Sequence, residues 1–364
     1  MNEYPLLLRS TIRLTFAFLM IAALILTRQL LVPLLLSVML AYLLFPYAEW
    51  FEKKGIPRIA TNLLVILGFG IFLGAIGSAV GILASNFTSD FPQIRIQFEQ
   101  NLQNILGSIT GYTGISEDSI NSLVKSIGET GQYLSEFFTT TTNTLLTLGL
   151  LPVYTFLLLF YRDKFRVFVS MLISDEHEDV FQNIIDQASE VVPKYLKGLL
   201  IVCFLLMGLN SLGFYLIGLE YALLFGIIAA LFNLIPYLGT ILGYGVVLLF
   251  VLGTQTPSLA VAVIIQFAIV QFLENNILTP NITGSYVEIN PLVIIFSLIA
   301  AGMIWGLPGM LIIIPYLGLF KIVCENVESL KPIGFLLGTK GTERHSITVR
   351  SIQERFGWNK GEHD

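Results

Sequence analysis

The chain has 364 residues, 55% of them hydrophobic and 12% charged, with a formal net charge of −5. Ordinary soluble domains are roughly a quarter charged, so this chain has too little polar surface for a water-soluble protein of its size. The acidic balance and the lack of a basic stripe argue against nucleic acid as a partner. Uncharged runs at 29–48, 59–89, 137–161, 199–219, 221–273 and 289–320 each reach the ~20 residues that cross a bilayer as a helix. The fold class that follows is all-α and polytopic, with about 8 spans embedded in a lipid bilayer.

In chain order, residues 11–27 form the first expected span. It follows Arg9 and Arg13 as a signal peptide would, but Arg28 comes next with no small-residue cleavage site, so the span is read as uncleaved. A tight turn at Arg28-Gln29 leads to a second span over 30–48, then to a loop, 49–58, carrying Lys53, Lys54 and Arg58. The third span, about 60–84, contains Gly70, Gly74, Gly77 and Gly81 on one strip of a helix, a pattern that lets a neighbouring backbone approach closely. Residues 1–84 are thus a unit of three transmembrane helices.

Residues 85–139 form an amphipathic arm. Phe91, Ile94, Phe98, Leu102, Ile105 and Ile109 fall at helical spacing, as do Ile120, Leu123, Val124, Ile127, Leu134 and Phe137 beyond a turn at Gly111 to Gly114. Residues 140–197 hold a fourth span and an amphipathic helix, whose acidic run Asp175-Glu176-His177-Glu178-Asp179 suits a helix N-terminus. A fifth span covers about 198–218. Basic residues crowd the N-terminus, the 49–58 loop, 162–166 and the tail, 325–364, whereas 85–136 is poor in them. The positive-inside rule then puts both termini in the cytoplasm and the arm outside, in a multi-pass protein of the cell inner (plasma) membrane.

The three histidines lie far apart, no Gly-rich phosphate loop carries a Lys, and Cys203 and Cys324 sit in apolar surroundings. No metal, cofactor or catalytic constellation is expected, and the protein is read as a non-enzyme.

The 198–324 segment changes character and is the expected transport core. Asn233-Leu234-Ile235-Pro236-Tyr237-Leu238-Gly239 interrupts one long apolar run; Gly306-Leu307-Pro308-Gly309 and Ile314-Pro315-Tyr316-Leu317-Gly318 interrupt another. Ile-Pro-Tyr-Leu-Gly occurs in both. Helices broken inside lipid leave backbone groups unpaired, and such breaks persist only where protein or a water-filled cavity covers them. Between the runs, Gln271, Glu274 and Asn275 share one helix face and lead into Asn276 and Pro280. Glu274 is either an ionisable group inside the membrane, able to load and release a proton, or an interfacial residue ending its span. Asn233, Pro236, Tyr237, Gln271, Glu274, Asn275, Asn276, Pro280 and Pro315 are the candidate pathway residues.

These segments resemble the AI-2E family of transporters, or autoinducer-2 exporter-like permeases, over nearly the whole chain. The resemblance is carried by Ala41-Tyr42-Leu43-Leu44-Phe45-Pro46, Lys54-Gly55-Ile56-Pro57-Arg58, Tyr161-Arg162-Asp163 and Tyr195-Leu196-Lys197-Gly198, and most specifically by 233–239 and Glu274-Asn275-Asn276-Ile277-Leu278-Thr279-Pro280. Leu199 departs from the Gln that many members carry there. The resemblance implies a homo-oligomeric permease; one branch of the family exports autoinducer-2 and another exchanges sodium or lithium for protons. The expected function is export of a small polar solute coupled to the proton gradient. Na+(Li+)/H+ antiport and a membrane scaffold stand as alternatives.

Overall fold

The computed structural model describes residues 6–113, 145–174, 177–236, 238–254, 257–282 and 289–339. Every regular element among them is a helix, the form in which a segment pairs its own backbone groups where water is absent. The helices are α1 (Leu6–Leu26), α2 (Arg28–Lys53), α3 (Arg58–Thr113), α4 (Leu145–Phe160), α5 (Arg162–Met171) and α6 (Glu178–Leu216). They continue as α7 (Ala222–Phe232), α8 (Leu238–Thr254), α9 (Pro257–Leu273), α10 (Thr279–Ile282), α11 (Pro291–Asn326) and α12 (Lys331–Leu337). Arg28–Lys53, Arg58–Phe87, Glu178–Leu216, Ser258–Ile282 and Pro291–Asn326 are long and apolar enough to cross a membrane. Their outer faces leave large side chains uncovered, such as Leu67, Ile71, Phe296 and Met303, a surface that lipid tails accept and water does not.

The first bundle packs α2, α3 and α4 around Leu44, Ala48, Val65, Ile66 and Leu159. One end of it is tied by charge. Arg162 grips Glu52 with both guanidinium nitrogens (3.0 and 2.5 Å), and Arg58 reaches Asp163 at 2.7 Å. The Lys54-to-Arg58 and Tyr161-to-Asp163 motifs, far apart in sequence, therefore meet here. A bidentate Arg–carboxylate pair that is largely shielded fixes geometry as well as contributing energy.

Helix α3 runs unbroken through the expected boundary at residue 84. Its 56 residues span about 84 Å, far more than a bilayer core. Past the membrane segment it lies on the C-terminal half: Ile94 joins a buried cluster with Phe214, Leu224, Phe225, Val247 and Phe250. Tyr221 Oη donates to Asp90 at 2.5 Å, and Asn101 Nδ2 donates to the Gly253 carbonyl at 3.0 Å. Among the described residues, the glycine strip does not make the close packing that its spacing predicts. A methyl group added at Gly70, Gly74, Gly77 or Gly81 would meet no atom within 4 Å. The arm's second half, 114–139, and the tail beyond 339 lie outside the described residues.

The C-terminal half is built on two helical hairpins. α7 has 11 residues, too few to cross alone, and α8 has 17. They fold against one another through glycines: a methyl group on Gly243 would stand 2.9 Å from Ala229 Cα, and one on Gly239 would overlap the Phe232 carbonyl. The second hairpin is α11 itself. Its backbone is helical except at Gly306, whose φ of 66° and ψ of −148° turn the chain back on itself. Gly309 lies against the Ala301 carbonyl and Gly302 against Met310, although residues eight apart in a straight helix are about 12 Å apart. Asn290, just before α11, hydrogen-bonds through its N–H to the Leu337 carbonyl at 2.7 Å, which places both ends of the hairpin on one side.

Of the two interruptions expected in the α11 run, only the first breaks the helix. Pro315 lies buried inside the returning half of α11, and the chain breaks at Gly306. The two Ile-Pro-Tyr-Leu-Gly copies therefore occupy different settings, one at a hairpin tip and one inside a helix. They nevertheless meet. Ile235 and Ile314 are buried in one cluster with Leu298, ringed by Tyr195, Leu238, Ile294 and Met310.

The glycines separate cleanly by environment. Gly239→Ala, pressed against backbone that cannot give, is expected to destabilise the protein by about 2 kcal/mol or more. Gly70→Ala, on the open strip, should be neutral or stabilising by up to about 1 kcal/mol. Thermal unfolding of both variants in detergent micelles checks the contrast.

Candidate transport site

The α7–α8 break ends α7 at Phe232 and leaves Asn233 in the turn, facing α9. There Asn233 Nδ2 donates to Glu274 Oε1 at 2.7 Å, and Asn233 Oδ1 accepts from Thr240 Oγ1 at 3.1 Å. One carboxamide thus links the hairpin tip, the first turn of α8 and the carboxylate at the end of α9. Glu274 is half-buried and begins the π-helical turn Glu274–Leu278. A π turn widens the helix by one residue, a distortion common at functional sites because it frees backbone groups and re-aims side chains. Pro280, without an N–H, follows it in α10 and sustains the irregularity.

The structure brings some predicted residues together and leaves others apart. Asn233 and Glu274 bond directly. Gln271 lies one turn before Glu274 and donates to Asn275 Oδ1 at 3.1 Å. Pro236 is half-buried at the hairpin tip. Asn276 turns its amide back onto the Phe272 carbonyl at 2.9 Å, and Pro280 is exposed, so neither touches the Asn233–Glu274 pair. Pro315 lies on the far hairpin, where the neighbouring Tyr316 donates to the Leu35 carbonyl at 2.9 Å. Tyr237 is outside the described residues.

A second polar group escapes a reading of the sequence. Asn210 of α6, Tyr244 of α8 and Gln266 of α9 converge in the apolar interior: Tyr244 Oη and Gln266 Nε2 both donate to Asn210 Oδ1, the latter at 3.3 Å. Gly213 makes room for it, since a methyl group there would stand 2.6 Å from Gln266 Nε2. Gln266 Oε1 is buried with no partner among the described residues. Burying an unpaired carbonyl costs about 1–3 kcal/mol, so this acceptor is a local weak point of the packing. A signal does exist in the sequence, because Asn210 is the one carboxamide in 199–219 and Gln266 the one in 257–270. Gln266 lies two turns of α9 from Glu274, about 12 Å along the axis. The two polar groups therefore flank α8 at different depths.

Long apolar helices and helical hairpins in an all-α chain, with a carboxylate held by a carboxamide at one hairpin turn, are the architecture of a membrane transporter. The family model for the AI-2E family transporter matches residues 14–329, and the chain belongs to that family. Two Bacillus subtilis proteins that carry the name "putative transport protein" are similar to it. YrrI is 28% identical over 306 residues, covering 80% of this chain and 85% of its own. YueF is 28% identical over 313 residues, covering 82% and 84%. An Escherichia coli K12 protein of the same description, YhhT, is 23% identical and covers 85% of this chain and 88% of its own.

The Asn233–Glu274 bond is measurable as a coupling. Hydrogen bonds to charged groups contribute about 1.5–3 kcal/mol, so a double-mutant cycle of Asn233→Ala and Glu274→Gln should return about 1 kcal/mol or more. The Asn276→Ala and Glu274→Gln cycle should return less than about 0.5 kcal/mol, because Asn276 bonds elsewhere. Chemical unfolding in micelles gives both values.

Proposed function

We propose that this protein moves a small, polar, uncharged solute across the cell inner membrane, with export of autoinducer-2 or a similar metabolite driven by the proton gradient. Asn233 with Glu274 is the observation that carries the reading, because it sets one carboxyl group against the tip of a re-entrant hairpin. When Glu274 is charged it holds Asn233 and closes the tip onto α9. When it is protonated the bond weakens and the hairpin is freer to move, which couples proton uptake to opening.

The chemistry around the site suits a neutral hydroxylated solute. Asn233, Gln271, Asn275 and Thr240 offer donors and acceptors without charge, and the unpaired Gln266 Oε1 and its neighbours extend the same character along α8. No Lys or Arg occurs within 221–273 to hold an anion. Orientation follows from the basic loops, with both termini cytoplasmic, the α7–α8 hairpin entering from outside and the α11 hairpin from the cytoplasm. In this reading the protein acts as a homo-oligomer and catalyses no chemical reaction.

Purified protein in proteoliposomes, under an imposed proton gradient, tests the proposal. Gradient-dependent movement of autoinducer-2 is expected, with Glu274→Gln lowering the rate at least about tenfold, the scale on which losing a charged hydrogen bond acts. Sodium-dependent proton flux that Glu274→Gln abolishes, with no movement of autoinducer-2, establishes antiport instead.

A further inference from the structure

Helix α5 is amphipathic in an inverted sense. Arg162, Asp163 and Arg166 occupy one face, and each is bonded to the rest of the protein. Arg162 pairs with Glu52 at 2.5 Å, Asp163 with Arg58 at 2.7 Å, and Arg166 Nη2 donates to Gln182 Oε1 at 2.6 Å. The opposite face carries Phe165, Phe168 and Leu172, which are 52%, 57% and 70% exposed. No residue of the helix is buried. Three polar attachments fix the rotation of α5 about its axis, so its apolar face cannot roll inward. In water this would leave three large side chains uncovered within two turns.

Position decides what covers them. α5 starts two residues after α4 ends at Phe160, the level at which a span leaves the hydrocarbon. Trp50 and Tyr161, both exposed, stand at this end of the bundle, with Lys54 Nζ 3.4 Å from the Trp50 ring centroid. Aromatic and basic side chains together are the usual anchors of a membrane–water interface. Lys164 borders the apolar face, is exposed, and has no carboxylate within ion-pair distance among the described residues. A second copy packed face to face across a two-fold axis would set lysine against lysine, whereas a phospholipid brings an anion beside an acyl chain.

We propose that α5 lies in the plane of the membrane, in the leaflet on the side of the basic loops. Phe165, Phe168 and Leu172 enter the acyl boundary and Lys164 takes the phosphate of an anionic phospholipid. The helix thereby becomes a lipid-sensing collar on the Glu52–Arg58–Arg162–Asp163 network that ties the first bundle. The inference does not depend on which solute is carried.

The test places an environment-sensitive fluorophore on Phe168→Cys or on Ser170→Cys, in a chain with Cys203→Ala and Cys324→Ala. The protein is reconstituted in vesicles of phosphatidylcholine and phosphatidylglycerol. The label at 168 should be blue-shifted and quenched by nitroxides shallow in the acyl chain, whereas the label at 170 should be quenched by aqueous iodide. Leu172→Cys serves as a second reporter of the apolar face should the first substitution impair folding. At equal mole fraction, headgroup-matched nitroxide phosphatidylglycerol should quench the 168 label up to about fivefold more than phosphatidylcholine, the enrichment one lysine supports at an anionic surface. Lys164→Gln should erase that difference. Iodide quenching at 168 equal to that at 170 overturns the insertion. A blue shift that vanishes on dilution into excess lipid overturns it in favour of self-association. Equal quenching by the two lipids in the Lys164 chain overturns the headgroup site.

Discussion

In hydrocarbon an unpaired backbone group has no water to turn to, and this chain breaks its apolar helices at two points, Asn233 and Gly306. The first break is covered by the arms of α11, and beside the second Trp305 Nε1 donates to the Leu24 carbonyl of α1 at 3.0 Å. The tip of the α7–α8 hairpin, at Ile235 and Leu238, buries against Leu298, Met310 and Ile314 of the α11 hairpin. Everything else in the C-terminal half follows from holding these two elements in register. Val202 and Leu206 of α6 and Val270 of α9 wall in the first hairpin at Ala230, and the long extension of α3 straps both its ends at Tyr221 and Gly253.

That arrangement gives Glu274 its meaning. A carboxylate on an ordinary span would be a cost with no return. At a π turn it faces the hairpin turn, where Asn233 donates to it at 2.7 Å, and in the proposed function this bond is the catch that proton uptake releases. Thr240 orients Asn233 from behind, so the amide presents its donor and not its oxygen to Glu274. The Asn210–Tyr244–Gln266 group has the opposite effect. It binds α6, α8 and α9 together and leaves one acceptor unpaired among the described residues.

Membrane residence is legible from composition, since uncharged runs of that length have one physical explanation. The Asn233–Glu274 pair is legible as two residues, because each is a polar exception in an apolar context, though their contact across 41 positions is not. Of the two interruptions expected in α11, Gly306 breaks the helix and Pro315 does not, for a physical reason. Proline at 315 removes one hydrogen bond, and a helix tolerates that where neighbours pack it. Glycine at 306 adopts a positive φ that other residues resist, and it turns the chain. The glycine strip of α3 has the spacing of a packing face, yet among the described residues nothing packs on it. Asn210 and Gln266 are each a lone carboxamide in an apolar run, which marks them singly, but only the fold brings them to Tyr244.

Whether the chain folds back from within the membrane at Asn233 is tested by impermeant maleimide labelling of single cysteines at positions 220, 258 and 325 in sealed vesicles, since Cys203 and Cys324 are buried. Glu220→Cys and Ser258→Cys flank the α7–α8 hairpin and should label from the same side, with Glu325→Cys labelling from the other. Labelling of positions 220 and 258 from opposite sides would mean that α7 and α8 cross the membrane as one span, and the re-entrant hairpin would be ruled out.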